Sequence, residues 1–82
     1  MERIATNTKF PPEEVIKRAV AFFGPAGLNL KVNEQSSNCA FFESGSGSVK
    51  ISACAEGGRT SVEFVSQEWD SEVEEFIENI AR

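Results

Sequence analysis

The chain has 82 residues, with 13 Asp or Glu against 8 Lys or Arg, two cysteines, and neither histidine nor tyrosine. That length suffices for one domain, residues 1–82, around one modest core and not for a second. The missing histidine excludes Ser-His and Cys-His nucleophile pairs within one chain, and it leaves Cys39 and Cys54 to supply at most half of a structural zinc site.

Met1–Phe10 alternates polar and apolar residues, which is the pattern of a weak first strand over Met1–Lys9 and lacks the apolar h-region of a signal peptide. No apolar run approaches the roughly 20 residues of a membrane span, so a cytoplasmic location is expected. Pro11-Pro12-Glu13-Glu14 then opens a helix, with Pro12 at the first helical position and two carboxylates near the positive end of the dipole. Val15, Ile16, Ala19, Val20, Phe22 and Phe23 form one apolar stripe at helical spacing, and Gly24-Pro25 ends it.

Four strands follow over Leu28–Glu34, Asn38–Ser44, Ser48–Ala55 and Thr60–Ser66, separated by Gln35-Ser36-Ser37, Gly45-Ser46 and Gly57-Gly58. A last helix begins near Asp70 or Ser71, where Ser71 and Glu74 match a capping box. Trp69, Val73, Phe76, Ile77 and Ile80 supply its apolar face. The charge is unevenly placed along these elements. Seven basic residues balance seven acidic ones from Met1 to Ser66, whereas the remainder carries six acids against Arg82. An acidic helix repels phosphate backbones, so nucleic-acid binding is not expected; a solvated outer face or a dock for a basic partner both suit it.

Two-residue loops at Gly57-Gly58 and Gly45-Ser46 set Ala53 opposite Val62, Ile51 opposite Phe64 and Ala40, and Val49 opposite Phe42. Placing Glu34 opposite Asn38 adds Val32 against Ala40 and Leu30 against Phe42, and all three turns then direct Leu30, Val32, Ala40, Phe42, Val49, Ile51, Ala53, Val62 and Phe64 to one face. A one-residue slip would send each of them to the other face, so the agreement fixes a two-layer α+β domain in the order β-α-β-β-β-β-α. Its antiparallel sheet carries both helices on one side.

This order, over the whole chain, resembles the TATA-binding-protein-like fold and, more loosely, the helix-grip domains of the birch-pollen-allergen and lipid-transfer type. It looks like the small prokaryotic domains of that shape with no assigned activity. TATA-binding proteins use a basic, aromatic-bearing concave sheet on DNA, whereas the outer face here is polar and the chain acidic. The resemblance therefore implies a shape and not a function.

The outer face holds the candidate site residues. Phe41 is the large apolar residue sent outward, with Val65, Cys39 and Cys54 near it and Lys31 and Lys50 as its cations. Exposed aromatics often mark contacts with a protein partner or a second copy. Glu63 lies across from Ser52 and near Lys50, an arrangement ordinary on a solvated sheet face. Cys39 and Cys54 fall on a diagonal roughly 7 to 8 Å apart, poor geometry for a disulfide, and are expected as free thiols.

No catalytic, cofactor-binding or metal-binding set emerges, and none of the Gly-rich turns has phosphate-loop spacing. The reading that fits best is a non-enzymatic interaction module, homodimeric or bound to a protein partner. The alternative is a binder of small apolar ligands, with Phe22, Phe23, Trp69 and Phe76 around a cavity. A thiol-based enzyme or sensor ranks third.

Overall fold

A computed structural model of the chain describes residues 2–80. Its elements run β1 (Glu2–Thr8), α1 (Pro12–Phe23), β2 (Lys31–Gln35), β3 (Cys39–Ser44), β4 (Gly47–Glu56), β5 (Arg59–Gln67) and α2 (Asp70–Ile80). Met1, the first residue of the predicted strand, lies outside the described residues. The five strands form one antiparallel sheet in the order β1-β5-β4-β3-β2. This is an α+β architecture with the element order that the sequence pattern predicts.

The two hairpins at the centre have the predicted register. Ala53 pairs with Val62, and Ile51 with Phe64 on one side and Ala40 on the other, while Val49 pairs with Phe42. Glycine sets the turn between β4 and β5, since Gly57 and Gly58 have φ of 54° and 84°, a backbone that side chains disfavour. One face of the sheet supplies Ala40, Phe42, Val49, Ile51, Ala53, Val62 and Phe64 to the core. The helices add Val15, Ile16, Ala19 and Phe23 from α1 and Val73, Phe76 and Ile80 from α2, all within one hydrophobic cluster.

The segment after α1 departs from the predicted strand over Leu28–Glu34. Leu28, Asn29 and Leu30 donate their backbone N–H groups to the carbonyls of Phe22, Gly24 and Phe23, at 2.8–2.9 Å. They thus satisfy the carbonyls that the end of a helix leaves open, and β2 starts only at Lys31. Asn29 turns the chain at φ 67°, a conformation asparagine tolerates better than most residues. Leu30 is fully buried without pairing to Phe42, and Leu28 is 39% exposed.

The register between β2 and β3 is corrected as well. Ser36 donates its N–H to the Cys39 carbonyl at 2.8 Å, so the turn is Ser37-Asn38 rather than Gln35-Ser36-Ser37. Gln35 accordingly pairs with Ala40 and Glu34 with Phe41, three residues along β3 from Asn38, the predicted partner of Glu34. A bulge between Val32 and Glu34 absorbs the extra residue and brings Val32 opposite Phe42, with Lys31 opposite Glu43. The apolar residue still faces inward, and Glu34 moves to the outer face.

At the other end, α2 begins at Asp70, so Ser71 lies inside the first turn and not at the capping position that the Ser71–Glu74 pattern predicts. Ser66, buried at the end of β5, instead donates its hydroxyl to the Asp70 carboxylate at 2.5 Å.

Candidate functional site: the outer face of the sheet

Because the side chains of a strand alternate, each residue buried against the helices leaves its neighbours on the opposite face. The register sorts these neighbours into rows. One row crosses all five strands as Arg3, Val65, Lys50, Phe41 and Glu34. The next, on one side, runs Ala5, Glu63, Ser52 and Cys39; on the other side, Gln67, Ser48, Glu43 and Lys31 line up. Cys54 lies one row beyond Cys39, opposite Ser61.

Of the residues predicted for an interface, Phe41, Lys50 and Val65 therefore share a single row at its centre. Phe41 and Val65 are partly buried by their neighbours, while Lys50 is exposed between them. Lys31 stands apart from this row, paired across the strands with Glu43. The Asn33 side chain, at the bulge, also donates to the Glu43 carboxylate. Arg3 and Glu34, which the sequence pattern does not place on this face, close the row with opposite charges.

The polar cluster of Glu63, Ser52 and Lys50 is arranged as cross-strand neighbours, with Glu63 directly opposite Ser52. Glu63 is ion-paired with Arg3 at 3.7 Å, and both side chains are open to solvent at 48% and 72% exposure. Such a pair contributes little to stability and leaves both groups accessible. Cys39 and Cys54 are unpaired thiols on diagonal positions; the Cys39 sulfur lies 3.3 Å from the Ser36 hydroxyl, and Cys54 is exposed. Among the described residues no three His, Cys, Asp or Glu side chains cluster closely enough to hold a metal ion.

The aromatic residues predicted around a ligand cavity occupy different places. Phe23 and Phe76 are fully buried, their ring centroids 5.5 Å apart, and Phe23 touches Phe42 and Phe76 touches Phe64 at similar distances. Phe22 stacks at their edge, and with Phe76, Ala21 and Ile80 it lines an open cleft of about 300 Å³ between the helices, with Arg18 and Asn79 as its polar groups. Arg18 is engaged by Glu14 at 2.9 Å and by the Phe10 ring. Trp69 lies elsewhere, packed over the backbone of Gly47 where β4 begins.

Every buried side-chain nitrogen or oxygen among the described residues has a hydrogen-bond partner, so no polar atom is left aimed into the core. No helix of the described chain is long and apolar enough to cross a membrane. No protein-family model matches the chain, and no curated protein or solved structure shows significant similarity to it.

Proposed function

We propose that the chain is a non-enzymatic interaction module of the cytoplasm that forms a homodimer through the outer face of its sheet. The observation that carries this reading is the distribution of layers. Both helices cover one face of the sheet, and among the described residues no layer lies over the face around Phe41 and Val65. Adding a second sheet there buries what remains exposed of the Phe41 ring, a fraction of the roughly 1.5 to 3 kcal/mol that complete burial of a large side chain contributes. A small domain has much to gain from such a contact, since it covers little of its own surface. Two unpaired cysteines on one face suit a reducing compartment. The likeness to the TATA-binding-protein-like fold belongs to this proposal, on element order alone, and lends it no function.

Sedimentation velocity of the wild type and of Phe41→Glu tests this reading. A charge at the centre of the contact converts dimer to monomer while the circular dichroism spectrum is retained. A variant that remains dimeric rejects this face as the interface.

A second reading, a binder of small apolar ligands, is supported by the cleft that Phe22 and Phe76 line between α1 and α2. Titration with a fluorescent fatty acid tests it: saturable binding that Ala21→Trp abolishes supports the cleft, and the absence of saturation rejects it.

A further inference from the structure

The charges on the outer face are not scattered, and their placement selects one way for two copies to meet. In the row that crosses all five strands, Arg3 occupies one edge strand, Glu34 the other, and Lys50 the middle strand, with Val65 and Phe41 between. Two sheets packed face to face are related by an axis that lies in the plane between them. An axis running along β4 keeps every residue in its row and carries it across the middle strand, so that β5 meets β3 and β1 meets β2.

We infer that the dimer forms about an axis parallel to β4, with Val65 against Phe41 of the second copy and Arg3 against Glu34 of the second copy. This inference rests on the proposed function, since it specifies how the same face is used. Three features of the register support it. The apolar residues meet each other rather than a charge. The two edges are complementary twice over, because the operation repeats each Arg–Glu contact. In the adjacent row, the Gln67 amide of one copy meets the Glu43 carboxylate of the other, a donor against an acceptor.

The competing axis, drawn across the strands through the same row, sets Arg3 against Arg3 and Glu34 against Glu34. Like charges in such juxtaposition disfavour an interface. Along the favoured axis the outward residues of β4, Ser48, Lys50, Ser52, Cys54 and Glu56, meet their own copies. Lys50 has Glu43 and Glu63 of both chains on its diagonals, and Glu56 has Arg59 beside it in each chain. The long flexible side chain of Lys50 can turn to either glutamate. Stacked sheets cross at about 30°, so residues at the edges are displaced from perfect opposition; Arg3 and Glu34 have the length to bridge that displacement. The ion pair within one chain, Arg3 with Glu63, is long and solvent-exposed and does not hold the arginine in place.

The test is a charge exchange. Arg3→Glu makes both edges acidic and Glu34→Arg makes both edges basic, so each variant alone dimerises on the order of tenfold more weakly than the wild type. An equimolar mixture restores both contacts, since the acidic chain now faces the basic one, and native mass spectrometry then shows the heterodimer in large excess over either homodimer. Homodimers of both variants as tight as the wild type overturn the orientation whatever their mixing, because the competing axis leaves like charges opposed in wild type and variants alike and also pairs the acidic chain with the basic one. If Phe41→Glu disrupts the dimer in that case, the orientation fails and the use of the face survives. A wild type that is monomeric throughout removes both together.

Discussion

Glu34 pairs with Phe41 across β2 and β3, although the next inward-facing pair is Val32 with Phe42, because one extra residue is accommodated between them. The bulge reconciles a tight turn at Ser37-Asn38 with an inward Val32. Deletion of Asn33 therefore joins two segments already in register, and the protein is expected to fold with stability within about 1 kcal/mol of the wild type in urea denaturation. Deletion of Ser52 from β4 is expected to abolish folding, because it sends the rest of a central strand to the wrong face. Loss of the fold on deleting Asn33 contradicts this account of the bulge.

Thr8 and Thr60 face each other across β1 and β5, both buried, and each hydroxyl donates to a carbonyl outside the sheet. Thr8 reaches the Ile80 carbonyl at the end of α2 and Thr60 reaches the Phe10 carbonyl before α1, each at 2.6 Å. These bonds fasten the helices to the sheet edge. Replacing either threonine with valine keeps the volume and leaves a carbonyl without its partner, at an expected cost of about 1 to 3 kcal/mol in unfolding free energy. A neutral result for both valine variants would show that water replaces the hydroxyls.

Gly47 is required for contact and not for its backbone angle. A side chain there would overlap the Trp69 ring nitrogen and lie 2.7 Å from the Gln67 carbonyl oxygen. Gly47→Ala is expected to destabilise by about 1 to 3 kcal/mol and to shift the emission of Trp69, the only tryptophan, to the red. An unchanged spectrum would mean that the indole is not packed on this strand.

Asn29 carries the positive φ that turns the chain back onto the end of α1. Asn29→Gly is expected to be neutral or stabilising, and Asn29→Ala to cost about 1 kcal/mol, by chemical denaturation. Equal stability of the two variants would place the turn under no such constraint.

The sequence makes some of this structure legible and hides the rest for identifiable reasons. The hairpins at Gly45-Ser46 and Gly57-Gly58 are readable because two-residue glycine turns lock register, and every pairing within β3, β4 and β5 follows from them. Helix α1 is readable from Pro12 at its start and Gly24 at its end. The turn at Gly24–Leu30 is hidden because it is held by backbone bonds to helix carbonyls, which leave no side-chain signature, and Leu28 and Leu30 read there as strand residues. Of the candidate surface, Phe41, Val65 and Lys50 follow directly from the hairpins. Arg3 and Glu34 do not, since β1 is joined to its neighbour by no short turn and the bulge shifts Glu34 by one residue. Trp69 fits the apolar period of α2 but precedes the helix, and packing over Gly47 takes it away from Phe76.

Native mass spectrometry of the gently purified wild-type protein tests the central claim most directly, because one spectrum gives both the number of chains and any retained small molecule. The account predicts an ion of twice the chain mass with nothing added. A monomer at every concentration would contradict it, and a monomer carrying extra mass would direct attention to the cleft between the helices instead.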